Sequence, residues 1–202
     1  MLSAPTKQES KLLAPFKGLL LNQIVVPSSK EEFISAVNEI INSEVVGFDT
    51  ESKPVFKKGQ KSDGPHVVQF ALLNKAFIFQ LHDERCLDYL LELFQSDKVL
   101  KVGFGLKSDK AHIYNKFGVR LNAVLDLNSA FREKGYRGQI GARGAIAIVF
   151  NQGLKKSKHT STSNWAQPHL SQRQLLYAAN DAYAALCVYN GLQSMPGSIS
   201  KK

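Results

Sequence analysis

The chain has little of what marks the specialised protein classes. Of 202 residues only two are cysteine, Cys86 and Cys187, and one is tryptophan. One cysteine pair in a chain this long is no disulfide framework, so a reducing, intracellular compartment is expected. That means cytoplasmic for a bacterial chain, with nuclear or organellar placement left open. No apolar run approaches the roughly 20 residues that span a bilayer, so no membrane partner is expected. The N-terminus lacks a clean apolar stretch with a small-residue cleavage site, and it carries Glu9, so it does not read as a signal peptide. The five histidines show no metal-ligand spacing, and no internal repeat is visible. Gly103-Phe104-Gly105 is no dinucleotide fingerprint, because Ser108 stands where the third glycine belongs.

What remains is the composition of one globular domain: 44% hydrophobic and 21% charged residues, with room for a full core. The charge is one-sided. Against 17 acidic residues stand 26 Lys and Arg, a formal net charge of +9. A basic excess favours polyanions, since neutralising phosphates releases condensed counterions.

Residues 1–22 read as an N-terminal arm, 23–192 as the domain and 193–202 as a flexible tail. A strand is expected at 23–27, then a helix capped by Ser28 or Ser29 and running to about Ile41. The β-branched run 44–51 suits a buried strand. Residues 52–65, with Pro, Gly and four lysines, form a basic loop. Residues 66–74 and 75–82 form a hairpin. Helical spacing covers 83–95, a strand 98–105 and a helix 106–117, followed by strand-to-helix at 123–131. A Gly- and Ala-rich segment at 138–150 turns helical toward its end. A polar basic connector covers 151–170, and a long helix 171–192 ends near Gly191. Early strands with intervening and late helices make an α/β class, a mixed sheet flanked by helices.

The chemistry lies in the acids. Asp49 and Glu51 close the strand at i and i+2, so both project from one face. Unit charges about 4 Å apart repel by roughly 4 kcal/mol at an effective dielectric near 20, an arrangement that invites a cation. Tyr177 and Asp181, at i and i+4, share one face of the last helix. Small residues around them (Ala178, Ala179, Ala182, Ala184, Ala185) permit close approach to a neighbour. Asp109 falls in the first turn after the strand 98–105, where the helix dipole favours an acid. Each of these positions has an ordinary reading by itself. Together, four converging carboxylates would hold two divalent cations, Mg²⁺ or Mn²⁺, suited to phosphoryl displacement, and a phenol beside them would orient or deprotonate water.

The order VVGFDTE, VGFGLKSD, YAANDAYAALCVY resembles the three motifs of the DEDD 3′→5′ exonucleases, in their Tyr-bearing subclass. Ribonuclease D and the Werner-type exonuclease domain are similar, and the likeness runs from about Val25 to Gly191. The resemblance implies a ribonuclease H-like fold and release of nucleoside 5′-monophosphates from the 3′ end. By motif, Asp49, Glu51 and Asp181 would hold the tighter metal. Asp49 and Asp109 would serve the second, Asp109 through water, and Tyr177 would act on the attacking water. DNA is the expected substrate; RNA trimming like that of ribonuclease D is the enzymatic alternative, and an inert nucleic-acid-binding or scaffold module the non-enzymatic one. Which protein partners it has is not readable from the residues. One departure stands out: Werner-type domains carry an aromatic residue two positions after the third acid, where this chain has Ala111.

Lys53, Lys57, Lys58 and Lys61 after the first motif, and Lys155, Lys156 and Lys158 in the connector, are candidate phosphate contacts. Trp165, Cys86 and Cys187 read as packing residues, and His112 as a surface or core residue rather than a base.

Overall fold

A computed structural model describes residues 2–55, 59 and 62–194. Lys57, Lys58 and Lys61, and the tail beyond residue 194, lie outside the described residues. In chain order the elements are α1 (Lys7–Leu12), β1 (Ala14–Pro15), a 3-10 turn (Leu21–Gln23), β2 (Ile24–Val25), α2 (Lys30–Ile41), β3 (Val45–Glu51), β4 (Val67–Ala71), β5 (Ala76–Gln80), a 3-10 turn (Glu84–Cys86), α3 (Leu87–Gln95), β6 (Leu100–Gly103), α4 (Lys107–Phe117), β7 (Val124–Asp126), α5 (Leu127–Glu133), α6 (Ala142–Phe150), β8 (Gln152–Gly153), α7 (Lys158–Ser161) and α8 (Gln172–Gln193).

Six strands form one mixed sheet in the order β2-β5-β4-β3-β6-β7. The β3-β4-β5 run is antiparallel, while β2, β6 and β7 join in parallel. The alternation of strand side chains sorts the core into two layers. Val46, Phe48, Val68, Phe70 and Phe79 face α2 and α3, where Phe33, Ile40, Leu90 and Phe94 are buried. On the other face Val67, Ala71 and Ile78 meet the Ala178, Ala179 and Ala182 stripe of α8. Further along, Val102 packs with residues of α5, α6 and α8.

Local chemistry accounts for the helix starts. Ser29 caps α2 through a capping box with Glu32, and Ser171 caps α8 through one with Gln174. Gly118 in the left-handed region closes α4. Helix α8 runs two residues past Gly191, where the end was expected, because Leu192 is buried in the core and extends the packed face. The connector is more structured than its composition implies, holding β8 and α7.

Residues 2–22, read as part of an arm, lie against the domain. Ala14 and Pro15 pair in parallel with Gln152 and Gly153, and Phe16 packs on Phe150 and Tyr183. No helix among the described residues is long and apolar enough to cross a membrane.

Candidate active site

Strand β3 determines where the acids point. Val46 and Phe48 enter the α2–α3 layer, so Gly47, Asp49 and Glu51 face α8. Gly47 is required there: a Cβ at this position would stand 1.9 Å from the Ala182 carbonyl oxygen. The alanine stripe and this glycine together bring the α8 backbone onto the strand, which carries Asp181 to the first pair of acids. Carboxylate oxygens of Asp49, Glu51 and Asp181 all lie within 4.8 Å of one another. Parallel pairing with β6 covers Val45 to Gly47 only, so one side of the acid-bearing half of β3 has no ladder partner.

Asp109, 7% exposed on α4, stands outside that trio. Thr50 lies between the two acids in sequence, and its hydroxyl donates to Asp109 Oδ1. Asp109 is nonetheless close enough to raise the Asp49 carboxyl.

The electrostatics are those of a site that needs a cation. Burial first, then the charges of Asp109 and Asp181, push Asp49 well above the usual carboxylate range. Burial and the neighbouring Asp49 and Asp181 push Glu51 up to about 10. Burial also raises Asp181, against the pull of Lys156. The Lys156 ammonium lies 2.6 Å from Asp181 Oδ2, and it sits 5.3 Å from the centre of the Tyr177 ring. Burial disfavours the Lys156 charge, but Asp181, Tyr177 and Asp49 outweigh it and raise this lysine. Directly across the sheet from Asp49 is Gln69, fully buried, with neither amide atom in a hydrogen bond. Hard oxygen donors in mutual repulsion, with an ammonium drawn against one of them, are a fitting set for a divalent cation.

Tyr177 is positioned by packing. Its ring lies 6.0 Å from that of buried Trp165, whose indole N–H donates to the Ser161 carbonyl at 3.2 Å. Burial, then Asp181 and Glu51, raise the phenol above its ordinary value.

The lysines divide. Lys156 enters the acidic cluster itself, whereas Lys53, Lys155 and Lys158 are exposed. Thr50, Gln69 and Arg143, which acts electrostatically on Asp181, carried no sequence signal. Ala111 is exposed on α4, and one turn later Tyr114 exposes 56% of its surface in a pocket shared with Lys107, Lys110 and Arg120. Cys86 is buried and Cys187 partly so, both as free thiols.

The sequence model of the 3′-5′ exonuclease family matches residues 24–196. Among curated proteins, the mouse bifunctional 3′-5′ exonuclease/ATP-dependent helicase WRN is 29% identical over 156 residues, covering 76% of this chain and 11% of that protein. A 3′-5′ exonuclease of Arabidopsis thaliana is also 29% identical, over 77% of this chain and 54% of its own length. The chain thus spans about half or less of these relatives. Among solved structures, the Aedes aegypti Nibbler EXO domain superposes with a TM-score of 0.73 at 22% identity, covering 87% of this chain and 89% of that one. Trypanosoma brucei RNase D gives 0.76 at 18% identity, covering 86% and 66%. The sheet and its flanking helices are therefore the fold of these exonuclease structures.

Proposed function

The chain belongs to the 3′-5′ exonuclease family, and we propose on that premise that it removes nucleoside 5′-monophosphates from the 3′ end of a nucleic-acid strand. The observation that carries this reading is the carboxylate trio contributed by β3 and α8, packed within 4.8 Å. Asp49, Glu51 and Asp181 would hold one divalent cation, and Asp49 with Asp109 would serve a second. When bound, Mg²⁺ or Mn²⁺ would supply Lewis acidity suited to activating water and stabilising charge on the leaving oxygen.

The remaining work falls to the chain's own groups. Thr50 holds Asp109 in place through its hydroxyl. Trp165 fixes the Tyr177 ring, and the raised phenol keeps its proton at neutral pH. Tyr177 thus stands where its hydroxyl would orient the attacking water or help to deprotonate it. Lys156 pairs with Asp181 and so balances part of the acidic charge.

DNA is the leading substrate, on the sequence likeness to the mouse WRN protein. RNA is the second reading, favoured by structural likeness to an RNase D that has been solved with RNA U12. A 5′-labelled strand incubated with Mg²⁺ or Mn²⁺ is expected to give a ladder shortening from its 3′ end; an intact strand refutes the assignment. Matched DNA and RNA strands with recessed 3′ ends separate the two readings, and faster trimming of RNA overturns DNA.

A further inference from the structure

Residues 2–23 precede the span matched by the exonuclease family, yet part of them forms a wall beside the active site. Three neighbouring cavities share lining residues there. The outermost, about 550 Å³, lies between α1 and the segment 153–157. The next, about 560 Å³, shares Lys7, Arg143 and Lys156 with it and reaches Tyr177. Through Gln139 and Lys156 that cavity borders a third, which contains Asp49 and Asp181.

The outer two cavities have no carboxylate among their lining residues. Their cations include Lys7, Lys11, Arg143 and Lys155. Lys7 and Lys11 stand at i and i+4 on a helix of only six residues, a like-charge spacing that destabilises an isolated helix by a few tenths of a kcal/mol. The one acid on α1, Glu9, is turned away to the helix start, where it accepts from the Thr6 amide at 2.7 Å. The cationic face is thus left without an internal counter-charge from its own helix.

The placement of α1 is built rather than incidental. Its capping box begins it, and the buried Ser10 anchors it. A Cβ at Gly153 would stand 2.4 Å from the Ser10 carbonyl oxygen, so β8 and the end of α1 meet backbone to backbone. The Phe16 amide donates to the Gly153 carbonyl at 3.0 Å and locks the segment that follows.

We propose that α1 and the 153–158 segment form the outer wall of a single-stranded nucleic-acid track, with Lys7, Lys11, Arg143 and Lys155 gripping backbone phosphates upstream of the 3′ terminus. The proposal rests on the exonuclease reading for its direction but not for its binding. A row of cations leading to a recessed acidic site matches a polyanion whose end must be drawn against carboxylates. Phosphate contacts at the wall offset the repulsion that the terminal phosphodiester meets at the bottom.

Fluorescence anisotropy on the full chain, with chelator present to prevent hydrolysis, tests this using a labelled DNA strand of about 16 nucleotides and a labelled dinucleotide. For the double variant Lys7→Gln/Lys11→Gln, affinity for the longer strand is expected to fall about tenfold at low salt. The slope of log affinity against log salt should flatten by about 1.4, two single-strand contacts at roughly 0.7 each. The dinucleotide, too short to reach α1, should change by less than about twofold. Lys30→Gln/Lys98→Gln, which removes the same charge from exposed positions off the track, should leave both ligands unchanged. An unaltered affinity and slope in the α1 variant, or an equal loss in the control variant, overturns the track. If strands still shorten from the 3′ end in that case, the exonuclease reading survives without it. Binding through α1 with no shortening would overturn the exonuclease reading instead.

Discussion

The acidic cluster and the basic wall beside it are assembled by opposite physics. The cluster is largely enclosed: Asp181 is 6% exposed and Asp109 7%, with Asp49 and Glu51 half-buried. It depends on a glycine, an alanine stripe and two elements more than a hundred residues apart in the chain. Burial, and then the neighbouring acids, raise Asp49 and Glu51, so the fully charged form of the cluster is disfavoured without a cation. The lysines of the wall are exposed, two of them on a six-residue helix, and their charges repel only weakly through solvent. A difference in burial thus becomes a difference in task. Where solvent is excluded, charge can do bond chemistry; where solvent remains, charge can only attract and steer.

The largest effects should come from the buried side. Asp49→Ala or Asp181→Ala is expected to lower the cleavage rate by about a thousandfold or more, since each removes a cation ligand. Circular dichroism should meanwhile show an intact fold. Full activity in either variant, with Mg²⁺ or Mn²⁺ supplied, would dissolve the distinction between the two regions. Tyr177→Phe should cut the rate by about 10- to 100-fold with little change in substrate binding, because the ring still packs on Trp165 while the hydroxyl is lost. A rate equal to wild type in single-turnover measurements would remove Tyr177 from the chemistry.

The smallest effect sharpens the comparison at Lys156, which belongs to both regions. Lys156 lines the basic cavities and also pairs with Asp181 at 2.6 Å. In chelator, Lys156→Met should melt about 3–6 °C below wild type, the shift for a loss of roughly 1–2 kcal/mol in a chain of this size. Added Mn²⁺ should narrow the gap, because the metal takes over neutralisation of the acids. An equal gap with and without Mn²⁺ would make Lys156 a packing residue only.

Much of this site was legible in the residues. Asp49 and Glu51 share a face because strand side chains alternate, and Tyr177 and Asp181 do so because a helix repeats every 3.6 residues. Both relations are local, and the structure shows both. The hairpin 66–82 and the capped helices α2 and α8 were equally open to reading, since turn and cap chemistry act within a few residues. Lys156 was not: between Lys155 and Lys158 in a polar connector, nothing nearby in sequence distinguishes the lysine that turns inward. Nor was the hold of Thr50 on Asp109, which joins residues 59 positions apart.

By itself, then, the sequence determined the three acidic motifs, the faces from which they project, the basic excess and the α/β class, all matters of periodicity and composition. Tertiary structure alone decided which acids meet within 4.8 Å and which lysine neutralises them. It also decided that a segment read as an arm stands as a wall beside them. The physical reason is distance along the chain. Periodicity sets how a side chain leaves its own element, but only the packing of α8 on β3, and of α1 on β8, sets what it meets.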